Sequence, residues 1–410
     1  MNTLGTPSKS YTDAGGSTSY VTDAGTGSTL SLYEHAGVTE FHALCTWLEA
    51  QGWTLYSSMH KNGSRFATYA KGEALYHLYL TADQAGLRVV RSDKANLPPQ
   101  GAIQAGEGEI TLTQLRLYKT ESNVYTNGMG YVIRLSDGSF IIVDGGHNDQ
   151  VVDQLWNTLV DQNGGKTGIV VRAWLLTHSH GDHYGALSSF ADKYGEFVTV
   201  EYFMAARVNA ALAEDTFFSS KLPQIVEKYV ARGQGTKLCT PHTGMTFGFG
   251  ELTLEILFAP DENYVNVGGK LWDFNSSGVV YRLTGAGDRM LFLGDVMHDV
   301  TDRLTGIWGA YLESDMVQVA HHGVGDSTAA FYESLKPQKL FYPAGELLYK
   351  GENGDFGESK PFANNWNRNG AVRKALEVTG KYEILLQDET AYRYRWGSKK
   401  PAERYTAPTA

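Results

Sequence analysis

The sequence predicts an α+β protein in which two packed β-sheets carry helices on their outer faces, behind a smaller N-terminal α+β domain. Three observations support this fold class. The chain has 410 residues, of which 42% are hydrophobic and 20% charged, as in ordinary globular proteins. Its larger C-terminal part contains two groups of strand-like segments with helices between them. A cluster of histidine and aspartate follows directly on an apolar strand in that part.

Composition excludes several classes of protein. The net charge is −10, from 35 basic and 45 acidic residues, which argues against broad binding to nucleic acid or to anionic membranes. The two cysteines, Cys45 and Cys239, exclude a disulfide scaffold and a zinc site built only from cysteine. No apolar run approaches ~18 residues, so no transmembrane helix is expected. No signal peptide is visible, so the cytoplasm is the default expectation, although a mature secreted form would look the same.

The N-terminal part predicts a helix packed on an antiparallel sheet. Apolar residues recur at helical spacing over 38–51, and four alternating runs follow, with an Asn62-Gly63 hairpin turn between the first two. The alternating runs are 53–60, 65–71, 74–80 and 86–91. The predicted divisions of the whole chain are a low-complexity lead-in 1–30, a small α+β domain 31–93 of unknown role, a linker 94–108, the larger domain 109–398 and a tail 399–410.

The larger domain is predicted to alternate strands with helices. Strands are expected at 110–118, 130–135, 139–143, 169–176, 246–258, 278–283, 290–293 and 316–320. Helices are expected at 151–162, 331–335 and 370–377.

The segment that follows strand 169–176 carries the chemistry. It reads His178-Ser-His180-Gly-Asp182-His183, so His178 and His180 point to the same side of an extended chain. Gly181 allows a sharp turn, after which Asp182 and His183 can face a second centre. Imidazole and carboxylate ligands together suit Zn, Mn or Fe. Burying four such groups without a partner costs several kcal/mol each, so a metal site is the better interpretation.

These residues resemble the metallo-β-lactamase fold superfamily, an αββα sandwich, through its His-x-His-x-Asp-His motif. Three further blocks stand in the expected order: Phe140–Gly146, which ends in Asp144-Gly-Gly; Leu291–Asp295; and Val317–Gly323, which contains His321-His322-Gly. Together with 244–260 and 275–283, these blocks resemble the ComEC/Rec2-like branch. The resemblance covers about residues 110–395.

The resemblance implies two metal sites that share Asp295. The first would hold His178, His180 and Asp295, completed by water or Asn275, because the segment before the bridging strand has no histidine where many members have one. The second would hold Asp182, His183, Asp295 and His321. Asp144 is expected to orient the metal loop through hydrogen bonds and not to bind metal itself. His322 is then expected either to contact the substrate or to pack. His242 lies one element too early to supply the missing ligand.

The implied activity is that of a hydrolase with two divalent metal ions (Zn or Mn, with Fe also possible) and a metal-activated hydroxide. Asp295 would bridge the metals and Asp182 would orient the nucleophile. The predicted substrate is a small phosphodiester or phosphomonoester, which Trp366, Asn367 and Arg368 could contact. Two alternatives stay open. One is a carbonyl hydrolase such as a lactonase, thioesterase or β-lactamase, and the other is a non-catalytic metal-binding sensor or interaction protein.

Overall fold

The structure of the protein is a computed structural model. It describes residues 4, 6–12, 28–101, 104–117, 128–147, 149–206, 220–260, 274–323, 327–344, 382–387 and 390–409. The predicted helix 370–377 and residues 366–368 lie outside them. None of the helices in the described ranges has both the length and the apolar character needed to cross a membrane.

The N-terminal part forms a six-stranded antiparallel sheet. Its strands are β1 (Lys9–Thr12), β2 (Thr29–Tyr33), β3 (Thr54–Lys61), β4 (Ser64–Lys71), β5 (Ala74–Leu80) and β6 (Leu87–Ser92), in the order β1-β2-β6-β5-β4-β3. Helix α1 (Val38–Ala50) covers one face of the sheet through Phe41, Leu44 and Leu48. The β3–β4 turn is the predicted Asn62-Gly63, with both residues at positive φ, as the right-handed strand twist favours. Strand β1 and the start of β2 belong to the segment predicted as a lead-in.

The remaining chain supplies two further sheets and five helices among the described residues. In chain order the strands are β7 (Thr111–Gln114), β8 (Gly130–Arg134), β9 (Phe140–Asp144), β10 (Ile169–Leu175), β11 (Val198–Met204), β12 (Lys237–Cys239), β13 (Thr246–Phe249), β14 (Leu252–Phe258), β15 (Val280–Gly285), β16 (Asp288–Phe292), β17 (Met316–Gln318), β18 (Lys339–Tyr342), β19 (Glu383–Leu386), β20 (Ala391–Arg395) and β21 (Glu403–Tyr405). The helices are α2 (Asp149–Asn163), α3 (Gly181–Tyr194), α4 (Leu222–Ala231), α5 (His298–Trp308) and α6 (Ala329–Leu335).

These strands form an eight-stranded and a seven-stranded sheet. The eight-stranded sheet has the order β12-β11-β10-β9-β8-β7-β20-β21, and the other runs from β13 to β19 in sequence order. Tyr131 and Val143 of the first sheet share one apolar core with Ile256 and Tyr281 of the second. Helices α2, α3 and α4 cover the outer face of the eight-stranded sheet, and α5 packs on β14. Strand β21 lies in the segment predicted as a tail.

Parallel pairing determines where the site lies. Strands β9 to β12 run parallel to one another, and so do β16 to β19. The carboxyl ends of each parallel set therefore meet at one edge of their sheet, and the segments that leave those ends carry the residues described below.

The N-terminal sheet packs directly on the two-sheet core. Leu30, Phe66 and Tyr79 belong to the same apolar cluster as Phe247 and Trp308. The rings of Phe66 and Trp308 stack with centroids 4.9 Å apart. The two parts therefore share a buried interface.

Candidate metal centre

The histidine motif lies between strand β10 and helix α3. His178 and His180 follow the strand in extended chain, with His178 Nε2 3.0 Å from His180 Nδ1. Helix α3 begins at Gly181, where the sequence predicted only a turn, and Asp182 and His183 lie in its first turn. The helix approaches the segment after β9 so closely that a Cβ on Gly185 would lie 2.1 Å from the carbonyl oxygen of His147. This packing explains why glycine is needed there.

Asp295 enters the centre from a glycine turn after strand β16. Gly294 has a φ of +59°, and a Cβ at this position would lie 2.9 Å from Cβ of Thr177. A side chain here would be both strained and crowded, so glycine allows the chain to turn beside the histidine segment. Asp295 is 1% exposed, and its carboxylate points at the imidazoles.

Two sets of potential ligand atoms overlap at Asp295. One consists of His178, His180 and Asp295, and the other consists of Asp182, His183, Asp295 and His322. Within each set the ligand atoms all lie within 4.8 Å of one another. Asp295 Oδ2 is 3.8 Å from His178 Nε2 and 3.2 Å from both His183 Nε2 and His322 Nε2. Asp182 Oδ2 lies 2.9 Å from His322 Nε2.

The structure differs from the prediction at the adjacent pair His321 and His322. The sequence analysis predicted His321 as the ligand, but in the structure His322 belongs to the donor set with Asp182, His183 and Asp295. Strand β17 ends at Gln318, and both histidines adopt left-handed backbone conformations, with φ of 48° and 53°. Because the chain coils here, the alternation of a strand no longer decides which side chain faces the centre. His321 is half-buried and contacts Asn275 instead, with its Nε2 3.3 Å from Asn275 Nδ2.

Hydrogen bonds behind the donor sets orient two of the imidazoles. Asp144 is fully buried and accepts from the backbone N–H and the hydroxyl of Thr177, and its Oδ2 lies 2.7 Å from His183 Nδ1. The carbonyl oxygen of Pro343, just past β18, lies 2.7 Å from Nδ1 of His322. Each contact favours a proton on Nδ1 and turns Nε2 towards the cluster, which is the orientation that a metal ligand needs.

The other residues that sequence reasoning considered lie around this centre or away from it. Asn275 is buried in the short helical turn Phe274–Ser277 but is in neither donor set. His242 stacks on His77, with ring centroids 5.6 Å apart. His147 and His298 are exposed, and His298 begins helix α5. Sequence reasoning missed Thr177, Gln318 and Pro343, because their contacts come from segments far apart in the chain.

The charged groups of the cluster shift one another's pKa. Burial would raise the pKa of Asp182 and Asp295, but the imidazoles of His183 and His322 hold both below the ordinary carboxyl range. Burial lowers the pKa of His322, yet the two carboxylates outweigh it and raise the pKa to about 10. Burial also holds the pKa of His178 well below its usual value. The carboxylates therefore stay ionised at neutral pH, as metal ligands must.

The residues fit a pair of divalent cations. Oδ1 of Asp295 is buried and has no hydrogen-bond partner among the described residues. The Nε2 atoms of His183 and His322 are also buried and face carboxylate oxygens of their own donor set, at 3.2 Å and 2.9 Å. A buried carboxylate oxygen normally has a partner, so Asp295 Oδ1 marks a place where one is expected. Imidazole and carboxylate donors are the ligands that Zn, Mn and Fe use in proteins.

Comparison with known proteins agrees with this geometry. Residues 126–198 match the model of the metallo-beta-lactamase superfamily, a range that contains Asp144 and the whole histidine motif. This segment is therefore similar to the metallo-beta-lactamase superfamily, and the two-sheet architecture is the metallo-beta-lactamase fold. A search of the curated proteins found no match.

Several solved structures are similar over most of the chain. The metallo-beta-lactamase fold protein YhfI from Bacillus subtilis is 12% identical, covering 70% of this chain and 99% of its own, with a TM-score of 0.41. CmlA, a diiron beta-hydroxylase from Streptomyces venezuelae, is 14% identical over 70% of this chain and 54% of its own, with a TM-score of 0.39. Yeast PDE1 is 9% identical over 68% of this chain and 97% of its own, with a TM-score of 0.39.

Proposed function

We propose that this protein is a hydrolase that uses two divalent cations to cleave a small phosphodiester or phosphomonoester. The observation that carries the proposal is the sharing of Asp295 by two donor sets. A carboxylate between two cations is the arrangement that holds them close enough to act on one substrate. The resemblance to the ComEC/Rec2-like branch, read from the sequence motifs, supports the same class of reaction by analogy.

Charge favours an anionic substrate over a neutral carbonyl compound. The ligand carboxylates of Asp182 and Asp295 carry two negative charges, which would neutralise half of the four positive charges of two divalent cations. The remaining positive charge would attract a phosphate oxygen and stabilise the charge that develops on it. A neutral lactone or thioester gains less from this excess charge in its ground state.

Each residue of the centre has an assigned task in this proposal. His178, His180 and Asp295 would hold one cation, and His183, His322, Asp182 and Asp295 would hold the other. When bound, the cations supply a water of lowered pKa and a positive field for the leaving oxygen. The Asp182 side chain is 20% exposed and orients the attacking water. His321, half-buried beside the donor sets, would contact the substrate, and the buried Asn275 would hold His321 in place.

The first test measures turnover and metal content together. The purified protein, loaded with Mn or Zn, is expected to hydrolyse bis(p-nitrophenyl) phosphate or p-nitrophenyl phosphate. The His180→Ala variant should lose at least about 100-fold in kcat/KM, because one cation loses a direct ligand. The exposed histidine His60 on β3 gives the matched control, and His60→Ala should keep the wild-type rate.

Other outcomes distinguish the alternatives. Equal activity in His180→Ala would contradict the proposal. Hydrolysis of nitrocefin or of a lactone without phosphoester cleavage would favour a carbonyl hydrolase. Tight metal binding without turnover of any of these substrates would favour a metal-binding sensor or interaction protein, and a protein that binds no metal would exclude the proposed chemistry altogether.

A further inference from the structure

Gln318 lies next to the candidate metal centre but belongs to neither donor set. It is the last residue of strand β17 and is completely buried. Its side chain makes three hydrogen bonds to backbone groups. Gly294 N–H donates to its Oε1 at 2.7 Å, and its Nε2 donates to Gly294 O at 2.9 Å and to Val319 O at 2.6 Å. One amide thus satisfies both backbone groups of Gly294, the residue immediately before Asp295.

The same glycine also contacts the histidine turn. The N–H of His321 donates to Gly294 O at 3.0 Å, so this carbonyl accepts from both Gln318 and His321. Gly294 therefore connects the turn that carries Asp295 with the turn that carries His322. The two ligand atoms of these turns, Asp295 Oδ2 and His322 Nε2, lie 3.2 Å apart.

Neither turn is held in place by regular sheet pairing. The β16–β17 pairing has the partners Met290–Met316 and Leu291–Val317, and it stops before either ligand. Beyond that point, the Gln318 amide supplies the hydrogen bonds that connect the end of β17 to Gly294, which follows β16. A side chain that only filled space would not need both a donor and an acceptor aimed at one residue.

We infer that Gln318 is a positioning residue that fixes the separation of Asp295 and His322, and so determines how tightly their donor set would bind a cation. The inference rests on the proposed metal centre. Gln318 lies in neither donor set, so its effect is transmitted through Gly294 and the two turns. Loss of an outer hydrogen-bond partner at a metal site typically costs 10–100-fold in metal affinity.

The test compares metal affinity in Gln318→Met with that in a second buried glutamine variant. Gln387→Met is the matched control, because Gln387 is equally buried and its Nε2 donates to the distant Leu115 carbonyl. Affinities for Zn and Mn are measured by competition with a chromophoric chelator, and the Co(II)-loaded forms are compared by absorption spectroscopy. Gln318→Met should lose about 10–100-fold in affinity at one or both sites and change the Co(II) spectrum, whereas Gln387→Met should do neither.

The outcomes separate this inference from the proposed function. Gln318→Glu keeps the shape and the acceptor but removes the donor, and it serves if the methionine variant does not fold. Its affinity should fall in the same direction. If the wild type binds metal and both folded Gln318 variants bind it as tightly with an unchanged spectrum, Gln318 is only structural and the inference is wrong. If the wild type binds no metal, the proposed function fails first.

Discussion

At the scale of single residues, the centre depends on which ring nitrogen of each histidine forms a hydrogen bond to a residue outside the donor sets. His183 is held at Nδ1 by Asp144, and His322 is held at Nδ1 by the Pro343 carbonyl. His321 has a different environment, half-buried and 3.3 Å from the Asn275 amide. Two adjacent histidines therefore have different partners beside the same donor sets, and substitution should separate their roles.

We predict that His322→Ala and His321→Ala have different effects. His322→Ala should lower metal affinity by more than the roughly 10–100-fold that loss of an outer partner costs, because it removes a direct ligand. His321→Ala should keep most of the metal affinity and lower phosphoester turnover. Metal content after gel filtration and kcat/KM on bis(p-nitrophenyl) phosphate measure the two effects. The reverse pattern would return the ligand role to His321, as the sequence alone suggested.

The histidine pair also shows which ligands could be predicted from the sequence and which could not. The spacing of His178, His180, Asp182 and His183 is local, so a strand followed by a turn was enough to predict that they lie together. The strand-ending Asp295 was predicted from its block in the resemblance. The choice between His321 and His322 depends on two left-handed residues, which no spacing rule forecasts. Helix α3 was missed because Gly181 was interpreted only as a turn.

At the scale of secondary-structure elements, strands β14 and β15 are joined by a buried ion pair as well as by apolar packing. Glu255 Oε2 lies 2.7 Å from Nε of Arg282, with the side chains 5% and 1% exposed. Thr284 and Tyr311 also donate to the carboxylate. Burial would raise the pKa of Glu255, but the hydrogen bond and charge of Arg282, together with these hydroxyls, hold it below its ordinary value.

We predict that Glu255→Gln lowers the free energy of unfolding at pH 7 by about 3–5 kcal/mol, because it leaves the buried Arg282 cation without its counter-charge. The folded pKa of Glu255 lies below the unfolded one. Its contribution is therefore complete above the unfolded pKa of about 4.5 and is lost as pH falls through the folded pKa. Urea denaturation of both proteins in a chelator-containing buffer should show their difference shrinking as the solution is acidified.

The exposed pair Arg91–Asp93 supplies the comparison for this prediction. Its side chains are 50% and 59% exposed, so Asp93→Asn should change stability by only about 0–1 kcal/mol. A loss in Glu255→Gln no greater than in Asp93→Asn would contradict the importance given to the buried pair.

At the scale of the whole molecule, the N-terminal sheet and the two-sheet core share buried contacts. Ser64 Oγ donates to the Ile307 carbonyl at 2.9 Å, and His77 Nε2 lies 2.8 Å from the Thr243 carbonyl. Phe66 is 1% exposed and stacks on Trp308 of helix α5. The sequence predicted the helix and strands of the N-terminal part, but this interface joins residues more than 160 positions apart, beyond any local pattern.

We predict that the two parts unfold together. Phe66→Ala should lower the free energy of unfolding by about 3–5 kcal/mol, because it removes a buried aromatic ring and leaves a cavity at the interface. Far-UV circular dichroism and release of bound metal should follow one transition in both proteins. The 46%-exposed Leu55 on β3 gives a control, since Leu55→Ala should have little effect. Two separate transitions would show that the N-terminal part folds independently.

The parallel strands that bring the ligands to one edge also affect synthesis of the chain. The imidazole of His322 is oriented by the carbonyl of Pro343, whereas His178, the first histidine of the centre, is made 165 residues earlier. A nascent chain that ends before strand β18 already has the His178 loop and Asp295 but has nothing to orient His322. If the proposed centre binds metal, capture of the ion would therefore be a late event on the ribosome, and prematurely terminated products would retain it poorly.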